Sequence, residues 1–274
     1  MFKIPVRDQI WEIDRPQIMG IMNITTDSFF EKSRVQTAQI ALEIAEKFIE
    51  QGATIIDIGG QSTRPGAPFI STKEETQKIV PIIEAIRNKF PSIYLSVDTF
   101  NSDVALEGLK AGAHIINDIS CGQFDSGMLK VVADHKAGFI GMHITGNKES
   151  MHQIPSRKDI MEDIQSYFQQ KKKLLAEYGI NDWIIDPGFG FGKSMDENFT
   201  MVKQLGQLSL LNLPILLGVS RKSTIYKTLT TTPEHALNGT TIVNTIGLMN
   251  GANIIRVHDV KEAKEILTLL PNLV

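Results

Sequence analysis

The sequence predicts an α/β protein closed into a (β/α)8 TIM barrel, preceded by a short β-hairpin over about residues 1–15. Three observations carry that prediction. Short runs that are apolar throughout recur eight times, segments with helical spacing lie between them, and no Gly/Ser linker or shift in composition divides the chain. Strands that are apolar on both faces and alternate with amphipathic helices belong to a parallel sheet covered by helices. Eight such units in 274 residues favour one closed barrel over two doubly wound halves, so a single domain spanning 1–274 is expected.

In order, Phe2, Ile4 and Val6 alternate, and Ile10 and Ile13 follow a turn near Arg7-Asp8, which reads as a hairpin. The strand-length runs are 18–24, 54–58, 93–97, 114–119, 139–143, 183–185, 214–219 and 253–257. Ala38-Ala41-Leu42-Ala45-Phe48-Ile49, Ile79-Ile82-Ile83-Ile86 and Ile160-Ile164-Phe168 each mark one face of a helix. Gly52, Gly112 and Gly179 follow helix ends, where a left-handed residue is useful. The longest interruption, 146–156, follows the fifth strand; a polar loop on that side of a barrel could cover an active site or be a plain connection.

Bulk properties exclude several functions. With 42% hydrophobic and 22% charged residues the chain can bury a sizeable core, and a net charge of -3 shows no basic surface built for nucleic acid, so any anion site must be local. A lone cysteine, Cys121, makes no internal disulfide and no zinc site by itself. Pro5, Arg7 and Asp8 interrupt the start, so it lacks the apolar core of a signal peptide, and no run approaches the roughly 20 apolar residues of a membrane helix. A cytoplasmic protein is expected, and three Asn-x-Thr glycosylation matches are discounted.

In such a barrel, chemistry sits where the strands end and the eight βα loops converge. The first strand closes with Asn23, the second leads to Gly59-Gly60-Gln61-Ser62-Thr63-Arg64, and the third ends in Asp98. Asn117 and Asp118 close the fourth, His143 the fifth and Asp186 the sixth; Ser220-Arg221-Lys222 follows the seventh, and Arg256 and His258 end the eighth. Any one of these could be a helix cap or a turn former. All eight together suggest a shared mouth. Asp98, Asn117 and Asp186 are acceptors suited to the N–H edge of a heterocycle, whereas Arg64, Lys222, Arg256 and His258 suit an anionic leaving group. Internal pairing, such as Asp186 with Lys222, is the plainer alternative and is compatible with function.

Gly188-Phe-Gly-Phe-Gly-Lys-Ser194 looks like a phosphate loop, but the position where Walker A needs its first glycine holds Pro187. Its glycines better suit a sharp turn beside a flat ligand, with Phe189 and Phe191 as apolar walls. No histidines are spaced as a zinc set; His143 is expected as a packed, hydrogen-bonded strand-end residue.

At these residues the chain resembles the dihydropteroate synthase family. The matching stretches are Met19-Gly-Ile-Met-Asn-Ile-Thr-Thr-Asp-Ser-Phe29, Asp57-Ile-Gly-Gly-Gln-Ser-Thr-Arg-Pro-Gly66, Ser96-Val-Asp-Thr99 and Ile115-Ile-Asn-Asp118. Asp186-Pro-Gly-Phe-Gly-Phe-Gly-Lys193, Ser220-Arg-Lys-Ser223 and Ile255-Arg-Val-His-Asp259 complete the set, in the family's order and over nearly the whole chain. The resemblance implies condensation of a pterin methyl pyrophosphate with 4-aminobenzoate by an SN1-like displacement assisted by Mg2+. It implies that Asp98, Asn117, Asp186 and Lys222 hold the pterin and that Arg256 stacks on it. Arg256, His258 and Asn23 would line the pyrophosphate, with Asn23 on the metal. Thr63 and Arg64 would belong to a mobile loop together with 25–34, Ser220 and Phe191 would seat the aminobenzoate, and the protein would be a homodimer. Lys222, Arg256, His258 and Asp98 are the expected catalytic set, and removal of Arg256 is expected to cost turnover far more than fold stability.

Two departures from the family pattern stand out. The first loop lacks its usual glycines, with Glu31 in place of an aspartate and Phe30 adding bulk near the aminobenzoate ring, a change expected to alter sulfonamide discrimination. Gln61 stands where glutamate is common. Two rivals remain at this point. A methyltetrahydrofolate–corrinoid methyltransferase would share the pterin acceptors but has no pyrophosphate for Ser220-Arg-Lys222 and Arg256-Val-His258 to hold. A non-catalytic pterin-binding partner would show no turnover.

Overall fold

In a computed structural model, the structure describes residues 1–24, 31–63 and 66–272, with side chains of the first long helix from residue 38 onward. β1 (Phe2–Val6) and β2 (Gln9–Ile13) pair antiparallel across Arg7-Asp8. The buried face of this hairpin is Ile4, Val6, Trp11 and Ile13, while Ile10 is 56% exposed. Ile10 and Ile13 cannot share one face of a strand with period two, and Trp11 takes the inner place.

The remaining elements alternate. They are β3 (Gln17–Asn23), α1 (Glu31–Glu50), β4 (Ile55–Gly59), α2 (Thr72–Lys89), β5 (Tyr94–Asp98), α3 (Ser102–Lys110), β6 (Ile115–Asp118), α4 (Met128–Asp134) and β7 (Gly138–Met142). After them come α5 (Ile160–Glu177), β8 (Ile184–Asp186), α6 (Met195–Lys203), β9 (Leu216–Leu217), α7 (Ser223–Thr228), α8 (Leu237–Met249), β10 (Ile254–Val257) and α9 (Val260–Leu269). Every expected strand is present. The eight-stranded sheet runs β8-β7-β6-β5-β4-β3-β10-β9 with parallel neighbours. A parallel bridge between Ile185 and Ile215 joins its two ends and closes the barrel.

Alternation along each strand sorts side chains into two layers. Met19, Ile55, Ile115, Ile140, Ile184, Leu216 and Ile254 face inward at the strand starts and pack on the hairpin's Ile4, Val6, Trp11 and Ile13. The hairpin therefore plugs the lower end of the barrel. At about 2 kcal/mol for each fully buried side chain, those four residues hold it there. Outward positions such as Ile56, Ile58, Leu95, Val97, Ile116 and Phe139 meet the helices. The predicted helical faces are there: Ile79, Ile82, Ile83 and Ile86 of α2, and Ile160, Ile164 and Phe168 of α5, are buried. Gly52, Gly112 and Gly179 take φ values of 98°, 111° and 76° after their helices. No helix among the described residues is long and apolar enough to cross a membrane.

The first loop is shorter than the expected 25–34. Residues 31–34 already form the first turn of α1, as suits glutamate, lysine and arginine where glycines would have broken it. Phe30 lies outside the described residues.

Candidate active site

Counting by twos up each strand from its inward isoleucine, or the equivalent residue, reaches the polar end of the barrel. Asp57, Asp98, Asn117, Asp186 and Arg256 all fall on the inner parity. Arg256 organises three of them. Its Nε donates to Asp57 Oδ2 at 2.6 Å and its Nη2 to Asp98 Oδ2 at 2.6 Å, while Asn117 Nδ2 donates to the same Asp57 oxygen at 2.9 Å. Asp57 is fully buried, and its Oδ1 has no hydrogen-bond partner among the described residues. Burial pushes the Asp98 carboxyl up to about 7; Arg256 opposes that shift and neighbouring Asp57 adds to it. Burial works against charge on Arg256, but Asp57 and Asp98 hold the guanidinium above its ordinary value. Removing Arg256 would leave the fully buried Asp57 with only the neutral Asn117 donor and the half-buried Asp98 without its cation, at a cost of about 3–5 kcal/mol. Loss of Arg256 is therefore expected to cost fold stability as well as turnover.

Across the mouth, Asp186 Oδ1 accepts from Gly188 N at 2.8 Å, and burial raises the Asp186 carboxyl above the usual range. Gly188, Gly190 and Gly192 have φ values of 73°, 83° and 53°, a conformation open to glycine and strained for other residues. The turn they form directs Phe189 O at Lys222 Nζ, 2.7 Å away. Lys222 Nζ also lies 4.8 Å from the centre of the Phe191 ring. Burial lowers Lys222 to about 8, with Asp186 pulling the other way.

Ser220 and His258 meet at the ends of β9 and β10. Ser220 Oγ lies 2.9 Å from His258 Nδ1 and accepts from His258 N at 3.1 Å. Arg221 stands between the two binding candidates in sequence yet is structural: its guanidinium forms a two-pronged pair with Asp259, at 2.8 Å for each contact, and fastens the two strand-end turns. Asn23, at the end of β3, and Asp98 flank Gly59, where an added Cβ would stand 3.7 Å from Asn23 Oδ1 and 3.3 Å from Asp98 Cβ.

The long loop after β7 lies over this mouth. His152 stacks on Phe191 with ring centres 5.6 Å apart and is hydrogen-bonded to the Thr63 backbone, so it bridges the second and sixth βα loops. Lys148 covers Phe100. Of the two readings of 146–156, the structure favours the cover.

A profile of the family described as "Pterin binding enzyme" matches residues 19–258. The dihydropteroate synthase of Escherichia coli strain K12 is 39% identical over 261 residues, covering 94% of this chain and 92% of that protein. A crystal structure of the Yersinia pestis dihydropteroate synthase with a sulfonamide drug complex superposes with a TM-score of 0.91 at 38% identity, covering 99% of both chains. The Xanthomonas albilineans dihydropteroate synthase with 4-aminobenzoic acid superposes with a TM-score of 0.89 at 33% identity, covering 98% of both chains. The chain belongs to the dihydropteroate synthase family of pterin-binding enzymes. It is thus a transferase-class enzyme of folate biosynthesis.

Among the residues the family resemblance selects, the fold brings Asp98, Asn117, Asp186, Lys222, Arg256, Ser220, His258 and Phe191 to one end of the barrel, with Thr63 and Asn23 at its rim. Arg64 lies outside the described residues. Two strand-end residues do not join the mouth. Asp118 falls on the outer parity, where its carboxylate accepts from Ser120 N, Ser120 Oγ and Gly122 N and shapes a turn. His143 also faces outward, its ring edge-on to Tyr167 of α5 at 4.9 Å. It is packed as expected, but its nearest polar partner is Asp163 Oδ2 at 3.4 Å from Nε2, and burial lowers its pKa to about 4.

Sequence reasoning missed Asp57, which sits two residues before Gly59 on the inner parity; that parity was the available signal. It also assigned nothing to Gln61, whose Nε2 donates to Ser62 O and Pro68 O at 2.7 and 3.2 Å and whose Oε1 accepts from Ile70 N at 2.8 Å. Gln61 clasps the second βα loop from both ends.

Proposed function

We propose that the chain condenses 6-hydroxymethyl-7,8-dihydropterin pyrophosphate with 4-aminobenzoate, giving 7,8-dihydropteroate and pyrophosphate. One observation carries this reading: acceptors of the inner parity, the buried Asn117 and Asp186 and the half-buried Asp98, stand beside Lys222 and Arg256 at a single strand-end mouth. Acceptors of that kind suit the amino-pyrimidine edge of a pterin, and cations suit a departing phosphate. Asp186 holds the pyrimidine edge, Lys222 donates to the ring, and Arg256 stacks on it. Ser220 and Phe191 seat the aminobenzoate, and Thr63 and Arg64 contribute to substrate binding. The exocyclic C–O bond breaks and its electron pair leaves with pyrophosphate. The arylamine nitrogen then forms the new C–N bond and releases a proton. Such a displacement needs charge stabilisation more than a strong base.

Mg2+ is commonly held by one or two protein oxygens together with substrate phosphates and water. Asn23 fits that pattern, with a side-chain oxygen next to Asp98 at the strand ends. Asn23 would hold the ion and His258 would line the pyrophosphate, and the ion would supply positive charge to the leaving group. We further propose that the whole chain, 1–274, works as one cytoplasmic domain. It pairs as a homodimer through Ile242, Ile246 and Met249, exposed at 51%, 43% and 59% on one side of α8. Phe30 tunes sulfonamide discrimination, and equal inhibition of the native enzyme and Phe30→Ser would remove that part.

The test is pyrophosphate release from the pterin substrate, with and without 4-aminobenzoate and with and without Mg2+. Release that needs both supports the proposal. Tight pterin binding without turnover would refute it in favour of a binding role.

A further inference from the structure

Lys193 is a buried charge that the reaction outlined above does not use. Only 7% of its surface is exposed, and its Nζ donates to Gly188 O at 2.9 Å and Phe191 O at 3.1 Å. A lysine is expensive to bury, and burial lowers this one to about 7, with Arg157 and Lys222 acting in the same direction and Asp186 and Asp163 opposing. An apolar residue would fill the space at less cost. The position of its acceptors explains the lysine.

The turn 188–191 is held by polar contacts on several sides. Lys193 takes two of its carbonyls from the interior, Lys222 takes Phe189 O from the mouth, and the buried Asn198 accepts from Gly190 N at 2.7 Å. The same turn delivers Gly188 N to Asp186 Oδ1 and carries Phe191 beneath the Lys222 ammonium. Without Nζ, Phe191 O would lose its donor and Gly188 O would keep only Phe191 N, 3.1 Å away. Phe191 O would then be free to turn toward solvent, and the loosened turn would hold Gly188 N less firmly against Asp186.

We propose that Lys193 is a positioning residue, setting the glycine turn that aims Asp186 and Lys222 at the pterin. It acts through Gly188 and Phe191 and does not itself reach the ligand. This inference rests on the pterin reading of the site.

The test is calorimetric binding of 6-hydroxymethylpterin to the full chain carrying Lys193→Met, Asp186→Asn, or both. Lys193→Met keeps the length of the side chain and removes the donors, so Kd should weaken about tenfold or more. If Lys193 works through Asp186, the double variant should lose much less than the product of the single losses. Wild-type affinity in Lys193→Met, or losses that multiply, would overturn the proposal. If Lys193→Met does not fold, Lys193→Gln, which keeps one donor group, decides by the same criteria. Failure of the wild-type chain to bind the pterin would instead strike the function reading, an outcome distinct from wild-type binding that Lys193→Met leaves intact.

Discussion

Asp57→Asn isolates the role of a carboxylate that contacts no expected substrate atom but holds two side chains that would. The substitution preserves shape. Asp57 Oδ2 receives both Arg256 Nε and Asn117 Nδ2 and Oδ1 receives neither, so an amide oxygen can take the Oδ2 place and keep both contacts while the negative charge is lost. The contact to Arg256 thereby loses its ionic partner, which is fully buried on the Asp57 side, and the charge assistance removed is worth about 2 kcal/mol. For a chain of this size that lowers Tm by roughly 4–8 °C. Arg256 keeps Asp98 at 2.6 Å and pivots about it. A displacement of about 1 Å in a positioning group can cost on the order of 10²-fold in rate. Differential scanning calorimetry and steady-state pyrophosphate release measure the two effects separately. A lowered Tm with unchanged kcat would make Asp57 a fold residue only, and no change in either would refute the idea that it holds Arg256 in place.

Three further outcomes are expected. Asp98 is raised to about 7 from an ordinary 3.8, so between those values the folded chain holds a proton that the unfolded chain has lost. Stability from this group therefore falls as pH rises through about 4 to 7. Asp98→Asn should flatten that slope by at most about 1.4 kcal/mol per pH unit in urea melts, and an unaltered slope would contradict the shift. Ser220→Ala removes the hydroxyl between His258 N and Nδ1 and should lower kcat/KM for the pterin substrate about tenfold; a change confined to Tm would place Ser220 outside the chemistry. Chelation of Mg2+ should abolish turnover while leaving the Kd for 6-hydroxymethylpterin unchanged, and loss of pterin affinity would mean that the metal serves ring binding.

The fold was legible because its signals are local. Eight apolar runs, the helical spacing of Ile79-Ile82-Ile83-Ile86 and the glycines at 52, 112 and 179 each report on a short stretch of backbone. The site was legible to the level of strand ends. Asp118 and His143 show where that reading stops: a strand end is one position, but the two faces of a strand lead to different places. Phasing from the inward Ile115 sends Asn117 into the barrel and Asp118 out of it, and phasing from Ile140 sends His143 out against Tyr167. The same phasing from Ile55 brings in Asp57. Lys193 and Gln61 were not accessible by any such rule, since each takes its meaning from carbonyls that a turn happens to direct at it.

The mouth holds both signs of charge in close company. Arg256 is committed to Asp57 and Asp98, Lys222 feels Asp186 and donates to Phe189 O, and Arg221 is bound to Asp259. A pterin ring, nearly neutral, exchanges hydrogen bonds with such a set without upsetting its balance. The pyrophosphate of the proposed substrate would not: it would bring several negative charges into a site whose cations already face carboxylates, and leaving any of them uncompensated in a desolvated pocket is costly. On the proposed reaction, further positive charge for the leaving group would come from beyond these pairs, which is the physical reason to test for Mg2+ beside Asn23 rather than to assign the whole task to Arg256. In the proposed displacement the requirement would reverse once the C–O bond breaks, because the charge left on the pterin would be positive. The carboxylates of the buried Asp57 and the half-buried Asp98, at the same strand ends, would favour that state over the one before it.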